Sequence, residues 1–279
     1  LLARHGYGDE SADPLSAFNV WGGEEIDPPM YGRVFVSVNE DNAIDLAVTA
    51  ENVISLLKEK TCVTILPEFL SPQYMDVILE GTIGWDPMKT VLSREQIMNN
   101  IIEKLTEKYP QRFNNIFSKS EISNAINSVG DSAVYADQGN INFLIRGKVL
   151  GPQYGSVNVN LGNKLKQSSI SSSEFIVGST IASSHNVPSD QKIKIRTRGS
   201  VNVQGKQEIE AFYQNESNTI SRISNVGVFQ PLMGLIRIHE GVAAESFYVT
   251  VIPLNPIVVA EQNIISNLII ADLTLERIF

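Results

Sequence analysis

The chain has 279 residues, 43% of them hydrophobic and 19% charged, with a formal net charge of -9 and a single cysteine. That length is too great for one small core, so two domains, or one domain with a large β extension, are expected. The acidic balance opposes nucleic acid and anionic lipid as primary partners, and a lone cysteine excludes an internal disulfide.

No stretch reaches the roughly 20 consecutive apolar residues of a membrane span. Neither an initiating Met nor a signal-peptide pattern is present, and Leu1-Leu2-Ala3-Arg4-His5-Gly6 reads as an interior cut in a longer chain. Residues 1–32 read as a linker and domain joint, rich in Gly, Asp, Ser and Pro. Within it, Gly22-Gly23 permits positive φ, and Pro28-Pro29 fixes φ and pushes Asp27 into an extended conformation. A Pro pair cannot donate to a sheet ladder, so it marks the entrance to a strand.

The strand that follows is Val34–Val38, with Val34, Val36 and Val38 on one face and Phe35 and Ser37 on the other. A helix is expected over 50–60, with Thr49 as N-cap and Val53, Leu56 and Leu57 on one face. Thr61–Leu66 reads as a second strand holding Cys62 as a buried structural thiol, and Ser71-Pro72 breaks it. Alternation from Met75 to Trp85 then predicts a long antiparallel strand ended by Asp86-Pro87. Ser93-Arg94-Glu95-Gln96 is a capping box opening a helix with Ile97, Ile101, Ile102 and Leu105 as its apolar stripe, and Pro110 lies just beyond its end. A second box, Ser118-Lys119-Ser120-Glu121, opens a shorter helix stopped at Gly130. Val134–Val149 returns to strand.

This β-α-β-β-α-(α)-β order predicts an α+β fold: a ferredoxin-like split-βαβ domain with an inserted helix over 33–150, both long helices on one face of its sheet. After it, 151–279 reads as a β-rich domain with a polar, Ser-rich loop at 168–184. Its expected strands are Ser156–Leu161, Lys192–Arg198, Val201–Val203, Glu208–Phe212, Gly234–His239, Phe247–Ile252 and Leu268–Phe279.

The residues that carry chemistry form no catalytic, cofactor-binding or metal-ligating constellation. His5, His185 and His239 lack metal-ligand spacing, and no nucleophile elbow, phosphate loop or dinucleotide fingerprint occurs. Asn215-Glu216-Ser217 is a formal glycosylation sequon without a secretory context. Asp76 and Glu80 share one strand face and could pair as acid and base on a sugar, although alternation of this kind is what a half-exposed strand requires. Glu24, Glu25 and Asp27 either solvate the linker or dock on a basic partner. Lys192, Lys194, Arg196 and Arg198 give one strand a basic face. The apolar tail (257–259, 264–265, 268–270, 273–279) serves either the core or a contact between subunits.

One stretch carries a resemblance. Gly22-Gly23-Glu24-Glu25-Ile26-Asp27-Pro28-Pro29-Met30-Tyr31-Gly32-Arg33-Val34-Phe35-Val36-Ser37 resembles the start of the C-terminal half of the baseplate wedge subunit of contractile-tailed phages, in the wider baseplate J-like group. The likeness is close over 17–38 and looser over 39–148. It implies a structural, non-enzymatic virion protein of the tail baseplate, assembled in the host cytoplasm. Such a subunit self-associates as a homodimer or higher assembly. It joins neighbouring wedge proteins into a ring around the tail hub, and the ring rearranges on tail contraction. No cofactor, small-molecule ligand, nucleic acid or membrane is implied, and Gly22–Gly32 becomes the joint about which the subunit pivots. The alternative is a tail-associated cell-wall hydrolase using carboxylates such as Asp76 and Glu80. A sugar-binding β module in 151–279 ranks below both, because Trp21 and Trp85 lie outside it.

Overall fold

A computed structural model describes residues 18–26, 29–39, 46–59, 65–130, 133–152, 154–214 and 219–278. Cys62, His5, Asp27, Pro28, Lys60 and the 215–217 sequon lie outside them. In chain order the elements begin with β1 (Phe18–Gly22), β2 (Arg33–Val38), α1 (Leu46–Lys58), β3 (Leu66–Phe69), β4 (Gln73–Trp85) and α2 (Arg94–Lys108). Next come β5 (Arg112–Phe113), β6 (Ile116–Ser118), α3 (Lys119–Asn127), β7 (Val134–Tyr135) and β8 (Ile141–Val149). The remainder is β9 (Val157–Asn160), β10 (Ser171–Ser172), β11 (Phe175–Ile176), α4 (Ser179–His185), β12 (Lys192–Arg198) and β13 (Gln207–Gln214). It ends with β14 (Ile220–Gln230), β15 (Leu235–Ile238), β16 (Phe247–Val251), β17 (Ile257–Val259) and β18 (Ile264–Arg277). The fold is α+β, and its C-terminal part is β-rich. No helix among the described residues is long and apolar enough to cross a membrane.

The residues form two compact units. The first comprises 1–74, 107–116 and 260–267, and the second comprises 75–106, 117–259 and 268–279.

In the first unit, β1 pairs antiparallel with β2 from Phe18↔Val38 to Gly22↔Val34. The strand β3 lies parallel to β2, from Arg33↔Leu66 to Val36↔Phe69, with α1 as the crossover between them. The alternation expected of β2 is present, but both of its faces are covered. Val36 and Val38 pack with Val53 of α1, together with Phe18, Leu56, Leu57 and Phe69. The opposite face buries Asn19, Trp21, Phe35 and Ser37, and the Trp21 and Phe35 rings stack at 5.9 Å. Pro67 is tolerated because β3 is an edge strand. Arg33 and Glu68 pair across β2 and β3. The strand β5 pairs with the first residues of β18, Ile265↔Phe113 and Ser266↔Arg112.

Two expectations change here. Phe18–Gly22, expected as linker, is a strand, because Asn19 and Trp21 face inward opposite Ser37 and Phe35. The helix begins at Leu46 rather than Ala50, so Thr49 lies inside it and is no cap; Leu46 and Ala47 are strong helix formers and extend it backward. Of the second strand expected over Thr61–Leu66, residues 61–64 lie outside the described residues, and the strand that is described runs on through Leu66–Phe69.

In the second unit, the expected long strand β4 stands, with Met75, Val77, Leu79 and Ile83 each 1% exposed or less. It pairs antiparallel with β8, from Met75↔Gly147 to Gly81↔Ile141. The sheet order is β10-β16-β8-β4-β18-β5, with β7 also on β4. The split-βαβ arrangement expected of 33–150 requires its strands to share one sheet. Here β2 and β3 belong to the three-stranded sheet, while β4 and β8 belong to this one. The reason is edge occupancy. Both edges of β2 are taken by β1 and β3, and both edges of β4 by β8 and β18. The Ser93–Gln96 box forms in both directions, Ser93 N–H to Gln96 Oε1 at 2.8 Å and Gln96 N–H to Ser93 Oγ at 3.2 Å. Ile97, Ile101 and Leu105 are fully buried, while Ile102 is 39% exposed and falls outside the stripe.

The second box does not close through Ser118, which makes no side-chain cap bond; its Oγ lies 2.8 Å from Ser120 Oγ. Lys119, the first residue of α3, places a cation at the positive end of the helix dipole. Burial lowers its pKa below the ordinary 10.5. In the folded state the charged form is therefore penalised at neutral pH. The penalty is relieved as pH rises through the lowered value toward 10.5. Lys119→Gln is expected to stabilise the protein by about 0.5 kcal/mol at pH 7. It should also remove that rise in stability at alkaline pH, as read by urea titration at pH 7 and pH 10.

The β-rich part is a sheet of order β11-β12-β13-β14-β15-β9. The tract 168–184, expected as a loop, contains β10, β11 and most of α4. Ile170, Phe175, Val177 and Ala182 anchor it, none more than 7% exposed. Val201–Val203 is not a strand: Asn202 Oδ1 accepts the Gln204 and Lys206 N–H groups and makes a turn there. The eleven-residue strand β14 gave no alternation in the sequence; its burial is irregular, and Asn225 interrupts it at φ 58°.

Candidate functional site

The acidic stretch singled out in the sequence lies beside a built polar recess in the first unit. Asn19 and Trp21 of β1 project from one face of their strand, and Gly23–Glu25 turns back as a single 3-10 turn. Gly23 O accepts both the Ile26 N–H (3.4 Å) and the Met30 N–H (2.8 Å), so this turn is held by its own backbone. Glu25 Oε1 accepts the Gly22 N–H at 3.1 Å. The described residues of the expected joint, Gly22–Gly32, are thus tied to one another and to β2.

The recess, about 470 Å³, is lined by Asn19, Val20, Trp21, Glu25, Asn114, Glu261 and Gln262. Its buried members are Asn19 (7% exposed) and Trp21 (5%), whereas Glu25, Asn114 and Glu261 are exposed at its rim. Asn19 Nδ2 donates to Gln262 O at 2.8 Å, and Asn114 Nδ2 donates to Asn19 Oδ1 at 3.0 Å. Gln262 Nε2 donates to Glu25 O at 2.9 Å. Asn114 (φ 56°) and Gln262 (φ 55°) both occupy the left-handed region, which costs a residue with a side chain unless its surroundings hold it there. Trp21 Nε1 is buried and has no hydrogen-bond acceptor. Asn19, Asn114, Glu261 and Gln262 were invisible as a group in the sequence, because the hydrogen bonds that join them span 95 and 243 residues.

Of the other candidates, Asp76 is engaged by Arg146 across β4 and β8, with Nε at 2.9 Å and Nη2 at 2.7 Å from Oδ2. That guanidinium also stacks on Tyr248 at 4.6 Å. Glu80 stands opposite Asn142, and Ile78 between the two acids is 8% exposed. The structure therefore gives Asp76 a cationic partner rather than a second carboxylate. Three members of the basic stripe of β12 are met within the chain: Lys194 by Glu174 at 3.2 Å, Arg196 by Glu210 at 2.9 Å, and Arg198 by Ser224 at 2.9 Å. His185 Nδ1 lies 2.9 Å from Ser184 Oγ, and His239 Nδ1 lies 3.0 Å from Asn225 O. Among the described residues, no three His, Cys, Asp or Glu side chains gather as metal ligands. In the tail, Ile264, Ile265, Leu273 and Leu275 are buried, while Ile257 and Ile278 are 47% and 43% exposed.

Residues 12–70 match the family model described as baseplate structural protein gp6, C-terminal domain I. The match takes in β1, the Gly23–Glu25 turn, β2, α1 and β3, and it agrees with the resemblance carried by residues 17–38. Together they point to a structural role in a phage baseplate. Among curated proteins no sequence matches the chain.

Proposed function

We propose that the chain is a structural wedge subunit of the tail baseplate of a contractile-tailed phage. It acts through surfaces rather than chemistry, with no catalytic or cofactor site. It self-associates as a homodimer or higher assembly and joins neighbouring wedge proteins in a ring around the tail hub. That ring stays connected while it changes shape on contraction. The protein belongs to the virion and is assembled in the host cytoplasm.

The observation that carries this reading is the family match over residues 12–70. A second feature supports the self-associating part. In the seven-stranded sheet, β5 pairs only with Ile265 and Ser266 of β18. On that side, the next residues of β18 pair with no described strand, and Leu268, Ile269 and Ile270 there are half-buried. Such a backbone edge suits pairing with another chain. Stable interfaces of this kind bury on the order of 1,600 Å². Sedimentation equilibrium is expected to show a dimer or larger species. A strict monomer at the highest soluble concentration overturns self-association through this part of the subunit.

A further inference from the structure

The sheet β11-β12-β13-β14-β15-β9 has two unlike faces. One is core: Ile195, Ala211, Ile223 and Ile236 are each 2% exposed or less. The other is cationic and accessible. Across it run the rows Lys194–Phe212–Arg222 and Arg198–Glu208–Val228–Arg237, with Arg196 opposite Glu210 between them. Lys192 extends the β12 edge of the same face. Six cations therefore share it with two carboxylates, Glu208 and Glu210, of which Glu210 is 2% exposed. Glu174 reaches Lys194 from β11's side of the sheet. Lys192, Arg222 and Arg237 are exposed and have no carboxylate partner among the described residues. The chain as a whole has a net charge of -9, so this face stands against the charge of the rest. It is also built around an aromatic group. The half-buried Phe212 ring lies 4.6 Å from the Arg196 guanidinium, in the wall of a recess of about 340 Å³ that Lys192, Lys194 and the exposed Ile220 also line. Aromatic residues and arginine are what protein interfaces enrich.

We propose that this cationic face docks the acidic leading segment of a second copy of the chain, residues 9–27, in a head-to-tail contact. Between Arg4 and Arg33 the sequence has six carboxylates, Asp9, Glu10, Asp13, Glu24, Glu25 and Asp27, and no lysine or arginine. Residues 1–45 hold nine acidic residues and two arginines, whereas residues 46–279 are nearly balanced, with 22 acidic and 20 basic. One sequence thus carries both halves of a complementary pair. Glu24 and Glu25 are exposed, and neither meets a cation among the described residues. Complementary charge of this kind steers two surfaces together and sets their register. A contact between two different surfaces of the same chain is heterologous, and repeated from copy to copy it generates a ring when the rotation closes. The inference rests on the self-association proposed above and gives it a surface other than the edge of β18.

Reciprocal charge reversal of the full chain tests it, read by sedimentation velocity. Association of the parent is expected to weaken about tenfold between about 50 mM and about 500 mM salt. At the lower salt, Lys192→Glu combined with Arg222→Glu should weaken it about tenfold. Asp9→Lys, Glu10→Lys and Asp13→Lys combined should do the same. An equimolar mixture of the two variants is expected to associate again, because the intact face of one meets the intact acidic segment of the other, and the two reversed surfaces also match. Association of both variants at the parent's strength overturns the proposal and leaves self-association standing. That is the result expected if copies pair only through the edge of β18, or if the face serves an acidic surface of another protein. A mixture as weak as its separate components also overturns it. The salt comparison needs no variant, so equal association at the two salts overturns it even where a variant misfolds. A parent that is a strict monomer at both salts overturns the self-associating role itself, and this contact with it.

Discussion

Gly23→Ala is expected to destabilise the first unit by about 3 kcal/mol, whereas Gly22→Ala, one residue earlier, should cost well under half of that. The difference lies in what each new methyl group would meet. At Gly23 a Cβ would stand 1.9 Å from the Met30 carbonyl oxygen and 2.9 Å from its carbon. Both are backbone atoms of a turn that also donates the Met30 N–H to Gly23 O. Neither can move aside without opening the turn, and opening it releases both bonds to Gly23 O. At Gly22 the nearest atoms belong to the Glu24 carboxylate, the free end of an exposed side chain that can swing away. A thermal melt should place the Gly23→Ala transition roughly 10 °C below the parent. Equal effects at the two glycines would mean that the turn does not close on Gly23. The same result bears on the joint expected at Gly22–Gly32. The described part of that segment anchors β1 to β2 through its backbone.

What could be read from the sequence was what is encoded locally. The Ser93–Gln96 box, the alternation of β4 and the limits of β12 depend on residues within a few positions of one another, and each stands as read; Val134–Val149, read as one strand, is instead β7 and β8 with a turn between them, where the Asn140 N–H meets Asp137 O. What escaped was decided over distance. Nothing near Val34–Val38 reveals that β1 and β3 occupy both its edges, or that β18, almost two hundred residues later, takes the edge of β4. The split-βαβ expectation failed on that point, with most of its individual strands in place. The recess escaped for the same reason. Glu24, Glu25 and Asp27 drew notice as a cluster of acids, but of these only Glu25 lines the recess, which takes shape when Asn114, Glu261 and Gln262 arrive from remote segments. Composition also misled in one place. A run of serines suggested a loop at 168–184, yet four buried apolar residues spaced among them were enough to order it.

Phe247→Ala is expected to cost about 3–5 kcal/mol, among the largest effects of any single change in the second unit. Phe247 lies in β16, opposite Val149 of β8, and is 1% exposed. Its ring stacks on that of Phe175, which is fully buried, with centroids 3.9 Å apart and planes 15° from parallel. Phe175 belongs to β11 and so to the other sheet. Between Ser172 and Phe175 the chain leaves the partner of β16 and becomes the partner of β12. The stack therefore sits where one segment crosses from sheet to sheet, and it clamps the two together at that corner. Truncation to Ala would remove the ring from a fully packed position, adding a cavity to the lost burial. Phe247→Leu keeps most of the volume and should cost no more than about 1.5 kcal/mol. Urea titration followed by circular dichroism measures both. A loss below about 1 kcal/mol for Phe247→Ala would mean that the sheets hold their corner without this pair. If the larger loss is found, the β-rich part resists hinging between its own sheets. It would then pass load as one body, as the role proposed for it would require.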